Sequence, residues 1–304
     1  MSGETTPGTE GRDIREIAPS GAGDDRFLTA DWSGQVSYWR GVSPEPVTTF
    51  KTTWSFGGRR LALGGDAKEP VAVTAAWERH GVCAYNAGTG ALLWQRKDVK
   101  RVQHLAAPPG LSVVTACSDD GPMLVLDLSD GSTLARVRGV RACWAGPETP
   151  LVGDVFDGVV FIDTSTWTVL ERRRTSGWGK TAVAVSATEA LVGAVQDQDG
   201  TTASALRCLT LTGKIVWQWD GPQGVICTDL SWDAASNSWL GVLTDVERAA
   251  QDRLVRWSLA GEMTTVGEIG STHASAFVLA GARLLLSDGS VIDTASGTRT
   301  VSLW

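Results

Sequence analysis

The sequence predicts an all-β chain: a seven-bladed β-propeller of four-stranded antiparallel blades. Two observations carry that expectation. The first is a recurring pattern of apolar strand, tight polar turn and apolar strand, clearest over residues 82–94, Val-Cys-Ala-Tyr-Asn-Ala-Gly-Thr-Gly-Ala-Leu-Leu-Trp. In that turn Asn86 can bond backbone groups ahead of it, and Gly90 can take a positive φ without steric cost. Further copies occupy 126–131, 162–167 (with Trp167 in the glycine position), 209–213, 257–261 and 292–297. The second observation is spacing. The turn-closing position falls at 90, 131, 167, 213, 261 and 297, so intervals run from 36 (131 to 167) to 48 (213 to 261). A unit of roughly 40–45 residues made of short strands marks a propeller blade.

Each unit reads as four strands in order. Residues 1–12 hold Gly, Thr, Pro and Glu without apolar periodicity, and are expected to be a disordered tail; residues 13–304 form a single propeller domain. In unit one, 14–18, 27–30, 35–39 and 47–50 read as strands, separated by the turn signals of 19–25 and Asp31-Trp32-Ser33-Gly34. Unit two offers 60–63, 71–74, 82–85 and 91–94; unit three 102–106, 112–116, 123–127 and 133–137; unit four 141–144, 150–153, 158–162 and 168–171. Unit five offers 182–185, 190–195, 203–209 and 215–219; unit six 226–231, 238–243, 254–257 and 263–266; unit seven 274–279, 283–286, 290–292 and 298–304. The last unit supplies its own outer strand, so the ring is expected to close by direct packing of the first and last blades. The stretch 244–253 is the one place where a helical turn inside a loop is expected.

Composition narrows the function classes. The 304-residue chain carries a net charge of −7, so bulk attraction to nucleic acid or to an anionic membrane is not expected. Its apolar runs are strand-sized, far from the ~20 residues of a membrane helix, and the first residues do not read as a secretory signal. Cys83, Cys117, Cys143, Cys208 and Cys227 show no metal-ligand spacing. As buried thiols they fit a reducing, cytoplasmic compartment. The composition, rich in Ala, Gly, Arg and Trp and poor in Lys, looks bacterial. Fourteen Trp against two Tyr make this a tryptophan-rich chain, whose indoles can fill wedges between blades or form a contact surface.

No catalytic constellation stands out. His80, His104 and His273 fall in different units, and the sequence lacks a nucleophile elbow, a phosphate loop and a dinucleotide fingerprint. His273, just before an inner strand, is the one histidine placed to act as a general base. Asp197 and Asp199 could offer oxygen ligands to Ca²⁺ but lack the ordered spacing of a calcium loop, and read as solvated turn residues. No metal and no cofactor is expected.

The repeats resemble those of the WD-repeat and pyrroloquinoline-quinone-type (quinoprotein-like) propeller superfamily. Ser118-Asp119-Asp120-Gly121 before Met123-Leu-Val-Leu-Asp127 is similar to the middle hairpin of a WD repeat. Asn86 to Trp94 resembles the Asp-x-x-Thr-Gly-x-x-x-Trp segment of quinoprotein repeats, with weaker echoes at 211–217 and 293–297. The resemblance covers residues 13–304 and implies the fold, not an activity. The chain has no Gly-His pair, its nearest approach to a third-strand Trp-Asp is Trp257-Ser258, and it has no adjacent cysteines. Quinone-cofactor binding is therefore not carried over.

The functional expectation is positional. In a propeller, the loops joining blades and the loops joining strands two and three share one face. The first set is basic (Lys97, Lys100, Arg101, Arg138, Arg141, Lys180, with Arg172-Arg173-Arg174 leading in), and the second acidic. Trp32, Trp54, Trp77 and Trp178 are expected in the same loops. Trp and Arg dominate protein-interface hot spots. The expected function is thus a non-enzymatic protein-interaction scaffold or adaptor. Its binding residues are Trp32, Trp54, Trp77, Arg101, Arg141, Trp178 and Lys180, and its partner is a protein. The alternatives are a lyase or hydrolase built around His273, Asp229 and Lys180, or a small-ligand sensor using the central channel. Nucleic-acid binding through Arg172, Arg173 and Arg174 is the minor alternative.

Overall fold

A β-strand sends successive side chains to opposite faces, so a sheet buried on both sides must be apolar at nearly every position. The middle strands of this chain meet that demand, as in Arg-Phe-Leu-Thr-Ala-Asp and Gly-Val-Val-Phe-Ile-Asp. The computed structural model describes residues 14–20, 24–53, 60–76, 81–118, 121–144, 151–155, 158–174, 178–198, 201–246, 252–270, 275–278 and 282–303. The expected tail at 1–12 lies outside them.

Among the described residues the strands form seven four-stranded antiparallel sheets, each using four consecutive strands. Blade one holds β1 (Ile14–Pro19), β2 (Arg26–Asp31), β3 (Gln35–Arg40) and β4 (Thr48–Lys51); blade two β5 (Leu61–Gly64), β6 (Val71–Ala75), β7 (Val82–Asn86) and β8 (Leu92–Arg96). Blade three holds β9 (Val102–Ala106), β10 (Val113–Ser118), β11 (Met123–Asp127) and β12 (Thr133–Val137); blade four β13 (Ala142–Trp144), β14 (Leu151–Val155), β15 (Gly158–Asp163) and β16 (Thr168–Arg174). Blade five holds β17 (Trp178–Val185), β18 (Glu189–Gln198), β19 (Thr201–Thr210) and β20 (Ile215–Asp220); blade six β21 (Val225–Asp233), β22 (Ser238–Asp245), β23 (Arg253–Trp257) and β24 (Met263–Glu268). Blade seven holds β25 (Ser275–Val278), β26 (Arg283–Leu286), β27 (Ser290–Asp293) and β28 (Arg299–Ser302).

Among the described residues most buried apolar side chains fall into seven clusters, each lying between two successive blades. Strand β2 shows why. Leu28 belongs to the cluster between blades one and two, with Leu61 and Leu63, while its neighbour Phe27 turns to the other face. Phe27 and Trp39 there stack at 5.8 Å and meet Ala276, Leu285 and Val291 of blade seven. That last cluster packs blade seven against blade one, and among the described residues each of the two keeps its own four consecutive strands, as the sequence order predicts. Trp39, Trp239 and Trp257 are fully buried, so part of the tryptophan content fills wedges between blades.

The turn from third to fourth strand has the conformation its residues predict. Gly90, Gly131, Gly213, Gly261 and Gly297 all have φ between 71° and 86°, and Trp167 adopts φ 57° in the same position. Three residues beyond this position the outer strand carries a β-bulge in five blades. Register shifts leave Leu93, Leu134, Leu170, Val216 and Thr300 as the extra residue. A bulge re-aims the side chain it carries.

Two local expectations change. Trp178 and Lys180 do not lie in the loop between blades four and five. They open the inner strand β17, which therefore starts four residues before the expected 182. The reason is that long β18 extends to Gln198 and offers Val195 and Ala194 as partners, across two register shifts. For the same reason Asp197 is a strand residue paired with Thr202, not part of a turn. Of the stretch expected to hold a helical turn, 244–245 belongs to β22 and 247–251 lies outside the described residues.

Candidate functional site

Backbone hydrogen bonds define the two mouths. On the first, blade-joining loops bond the second-to-third-strand turns: Thr52 N–H donates to Gly34 O (2.9 Å), Val246 N–H to Gly224 O (2.7 Å) and Ile269 N–H to Asp252 O (2.9 Å). On the second, the first-to-second-strand loops meet the third-to-fourth-strand turns, as in Leu128 N–H to Ser112 O (3.0 Å) and Ala87 N–H to Pro70 O (2.8 Å).

Trp32 stands on the first mouth, in the turn after β2. Asp31 pins that turn by accepting hydrogen bonds from Ser33 Oγ (2.7 Å) and Gln35 N–H (3.0 Å). The indole is 54% exposed, and the Arg15 guanidinium lies 4.6 Å from its ring centroid. Such cation–π stacking holds an exposed aromatic in one orientation. Arg101 is exposed in the loop before β9, with φ 54°, and Arg141 is exposed just before β13, its N–H donating to Asp154 O (2.9 Å). Trp32, Arg101 and Arg141 thus share a mouth but belong to blades one, three and four. Trp178 and Lys180 are placed by backbone only, and Trp54 and Trp77 lie outside the described residues.

Beneath the rim, a polar chain stitches inner strands together. Glu16 Oε1 accepts from Leu61 N–H (2.8 Å) across blades one and two. Buried Arg60 donates to Val102 O (2.8 Å) and Gln103 Oε1 (2.9 Å) across blades two and three. Sequence reasoning passed over Arg15, Glu16 and Arg60, although each is a charge inside or beside an apolar inner strand, which is the available signal. The enzyme reading fares differently: Asp229 is buried and accepts Leu230 N–H (3.0 Å), while His273 lies outside the described residues. His104 is buried with its ring 5.0 Å from Trp144. Among the described residues no group of His, Cys, Asp and Glu could hold a metal ion. All five cysteines are free and buried, and burial pushes the Cys117, Cys208 and Cys227 thiols up.

The second mouth holds a groove of about 730 Å³ over blades one to three. Its lining includes Leu63, Leu93, Pro108 and Leu128, with Arg26 and Asp66 at one end. Arg26 is only 3% exposed; its Nε donates to Asp24 (2.6 Å) and its Nη1 to Asp66 O (2.5 Å), so its charge is spent on joining blades one and two.

The seven-bladed ring and its turns have the architecture of the WD-repeat and quinoprotein-like propellers. The WD40 repeats of RRP9 superpose with a TM-score of 0.69 at 13% identity, over 92% of this chain and 88% of that one. The Neurospora crassa Pan2 WD40 domain gives 0.67 at 12% identity, over 98% and 93%. BamB from Moraxella catarrhalis gives 0.58 at 13% identity, over 93% and 83%. At such identities the likeness is one of fold. No protein-family model and no curated protein matches the sequence.

Proposed function

We propose that this propeller is a non-enzymatic protein-interaction scaffold that engages a protein partner at its first mouth. The observation that carries this reading is Trp32, a 54% exposed indole held on a pinned turn under Arg15. A rigid aromatic loses little entropy on binding, and Trp and Arg are the residues that anchor interfaces. Arg101 and Arg141 supply charged contacts at the rim, and Trp54, Trp77, Trp178 and Lys180 complete the proposed set. The proposal includes a reducing cytoplasmic location, supported by five free buried cysteines, and no role at nucleic acid or membrane, supported by the net charge of −7.

The test is affinity purification from native cells at low salt, comparing wild type with Trp32→Ala/Arg101→Glu/Arg141→Glu. A stoichiometric protein captured by wild type and lost by the variant supports the scaffold. A partner held equally by both removes the first mouth as its site. The absence of any partner shifts weight to a second reading, a small-ligand sensor, favoured by the 730 Å³ groove on the opposite mouth.

A further inference from the structure

The outer strands of blades three and four share a pattern that lies outside both the first-mouth contacts proposed above and the groove. In β12 and the turn after it, Leu134, Arg136 and Arg138 are exposed while Thr133, Ala135 and Val137 are half-buried or buried. In β16, Leu170, Arg172 and Arg174 are exposed and alternate with half-buried Glu171 and Arg173. Counted from the turn position (131 and 167), the two triplets sit at identical offsets. Both leucines are the extra residue of the bulge, which turns them out: Leu134 is 53% exposed and Leu170 60%. Blade two repeats the arrangement only in part, with Leu93, Gln95 and Lys97, and blade five has Val216, Gln218 and Asp220. The cationic version is confined to two neighbouring blades of a chain whose net charge is −7.

Both strands are also sheet edges. Among the described residues, strand β12 pairs only with β11, and β16 only with β15. An edge strand presents backbone N–H and C=O groups that another extended segment can pair with. We infer that the rim of blades three and four is a docking edge for an extended, acidic protein segment carrying apolar side chains. Its carboxylates meet Arg136, Arg138, Arg172 and Arg174, and its apolar residues lie beside Leu134 and Leu170. Arginine suits this role because its planar fork matches a carboxylate. Charge complementarity selects the occupant: a second copy of this rim would set arginine against arginine. A single-stranded nucleic acid would call for flat aromatic platforms. On the neighbouring outer strands Trp94 and Trp217 are instead buried, and Trp219 is half-buried with its ring 5.9 Å from Trp257.

The inference stands apart from the first-mouth reading, and its test separates them. Fluorescence anisotropy at low salt would compare a labelled ten-residue peptide of alternating Leu and Glu, its Leu–Lys counterpart and a twelve-nucleotide single-stranded DNA, each against the full chain. The Leu–Glu peptide is expected to bind and the Leu–Lys peptide not to. Arg136→Glu/Arg172→Glu should weaken binding about tenfold, the scale of two reversed ion pairs. Leu134→Ser/Leu170→Ser should weaken it about threefold, the scale of two partly buried apolar contacts. Trp32→Ala should leave it unchanged. Absence of Leu–Glu binding, binding insensitive to both rim variants, or tighter binding of the DNA through the same arginines would overturn the inference. The substituted positions are exposed, and an unchanged melting temperature checks that each variant is folded.

Discussion

The indole of Trp94, on the outer strand of blade two, packs against Gly131 in a turn of blade three. Its Nε1–H donates to Leu128 O at 2.8 Å, and a Cβ built on Gly131 would sit 2.7 Å from Trp94 Cδ2. The packing returns with Trp217 over Gly261, where the corresponding approach is 2.8 Å, but the buried Trp217 Nε1–H has no acceptor among the described residues. The glycine therefore serves twice, giving the turn its positive φ and leaving room for the ring of the preceding blade.

Gly131→Ala should be strongly destabilising. The left-handed conformation costs a Cβ-bearing residue about 1–2 kcal/mol, and displacing the Trp94 ring adds about 1–3 kcal/mol. Gly110 has a similar φ of 69° but nothing within 4 Å of an added Cβ, so Gly110→Ala should cost only the conformational part. Urea unfolding of the two variants checks the difference; equal losses would mean that Trp94 does not rest on Gly131.

Blade four inverts this pairing. Its turn position holds Trp167, and the residue of blade three at the Trp94 offset is Ala135, both packed on one cluster. Ala135→Trp and Trp167→Gly should each destabilise, the first by overpacking and the second by lost burial. Combined, they rebuild the tryptophan-on-glycine arrangement of the neighbouring interface. A double-mutant cycle should show a favourable coupling of about 1 kcal/mol or more; strict additivity would refute the exchange.

Acid should loosen the turns and the links between blades. The Arg96 guanidinium hydrogen-bonds Asp98 and holds its carboxyl down to about 2. At Asp24 burial pushes upward, but hydrogen bonds and charge from Arg26 leave the carboxyl below its ordinary value. Asp163, through Ser165, and Asp130, through the Ser132 N–H, are lowered as well. Each folded value lies below the unfolded value of about 3.9, so this stabilisation is complete above about pH 5 and is lost as pH falls through the folded values. Urea midpoints should hold between pH 7 and 5 and drop between pH 4 and 2. Asp98→Asn should be less stable than wild type at pH 7, with the gap narrowing below pH 3.

The thiols should be silent in the native protein. All five cysteines are buried, and Cys117, Cys208 and Cys227 are held protonated by burial. Reaction with a disulfide reagent at pH 8 should be slow until denaturant is added, then release five equivalents. A fast-reacting native thiol would place at least one of them at the surface.

Much of the architecture was legible in the chain because strand and turn are short-range properties. The Asn86–Gly90 turn needs only residues that bond locally and accept a positive φ, and Trp167 could be recognised in the glycine position by its spacing alone. The four-strand order of every blade followed from counting. Strand limits near β17 were misjudged because Trp178 and Lys180 are extended by a long partner strand, and pairing partners are not encoded locally. The functional residues were read least well. Trp32 could be singled out as a tryptophan in a turn, but not Arg15, whose guanidinium reaches that ring from another strand.

The sequence by itself thus determined the number of blades, their internal order and the turn chemistry, all set by interactions spanning a few residues. Only the tertiary structure decided which face each tryptophan takes: Trp32 outward under Arg15, Trp94 onto Gly131, Trp239 and Trp257 into the core. It also decided that a bulge turns Leu134 and Leu170 out beside rows of arginine on adjacent blades. The contact of Trp94 with Gly131 joins units some 40 residues apart, which a repeat pattern locates in order but not in space, while the Arg15–Trp32 contact and the two bulges depend on how strands pair within one blade.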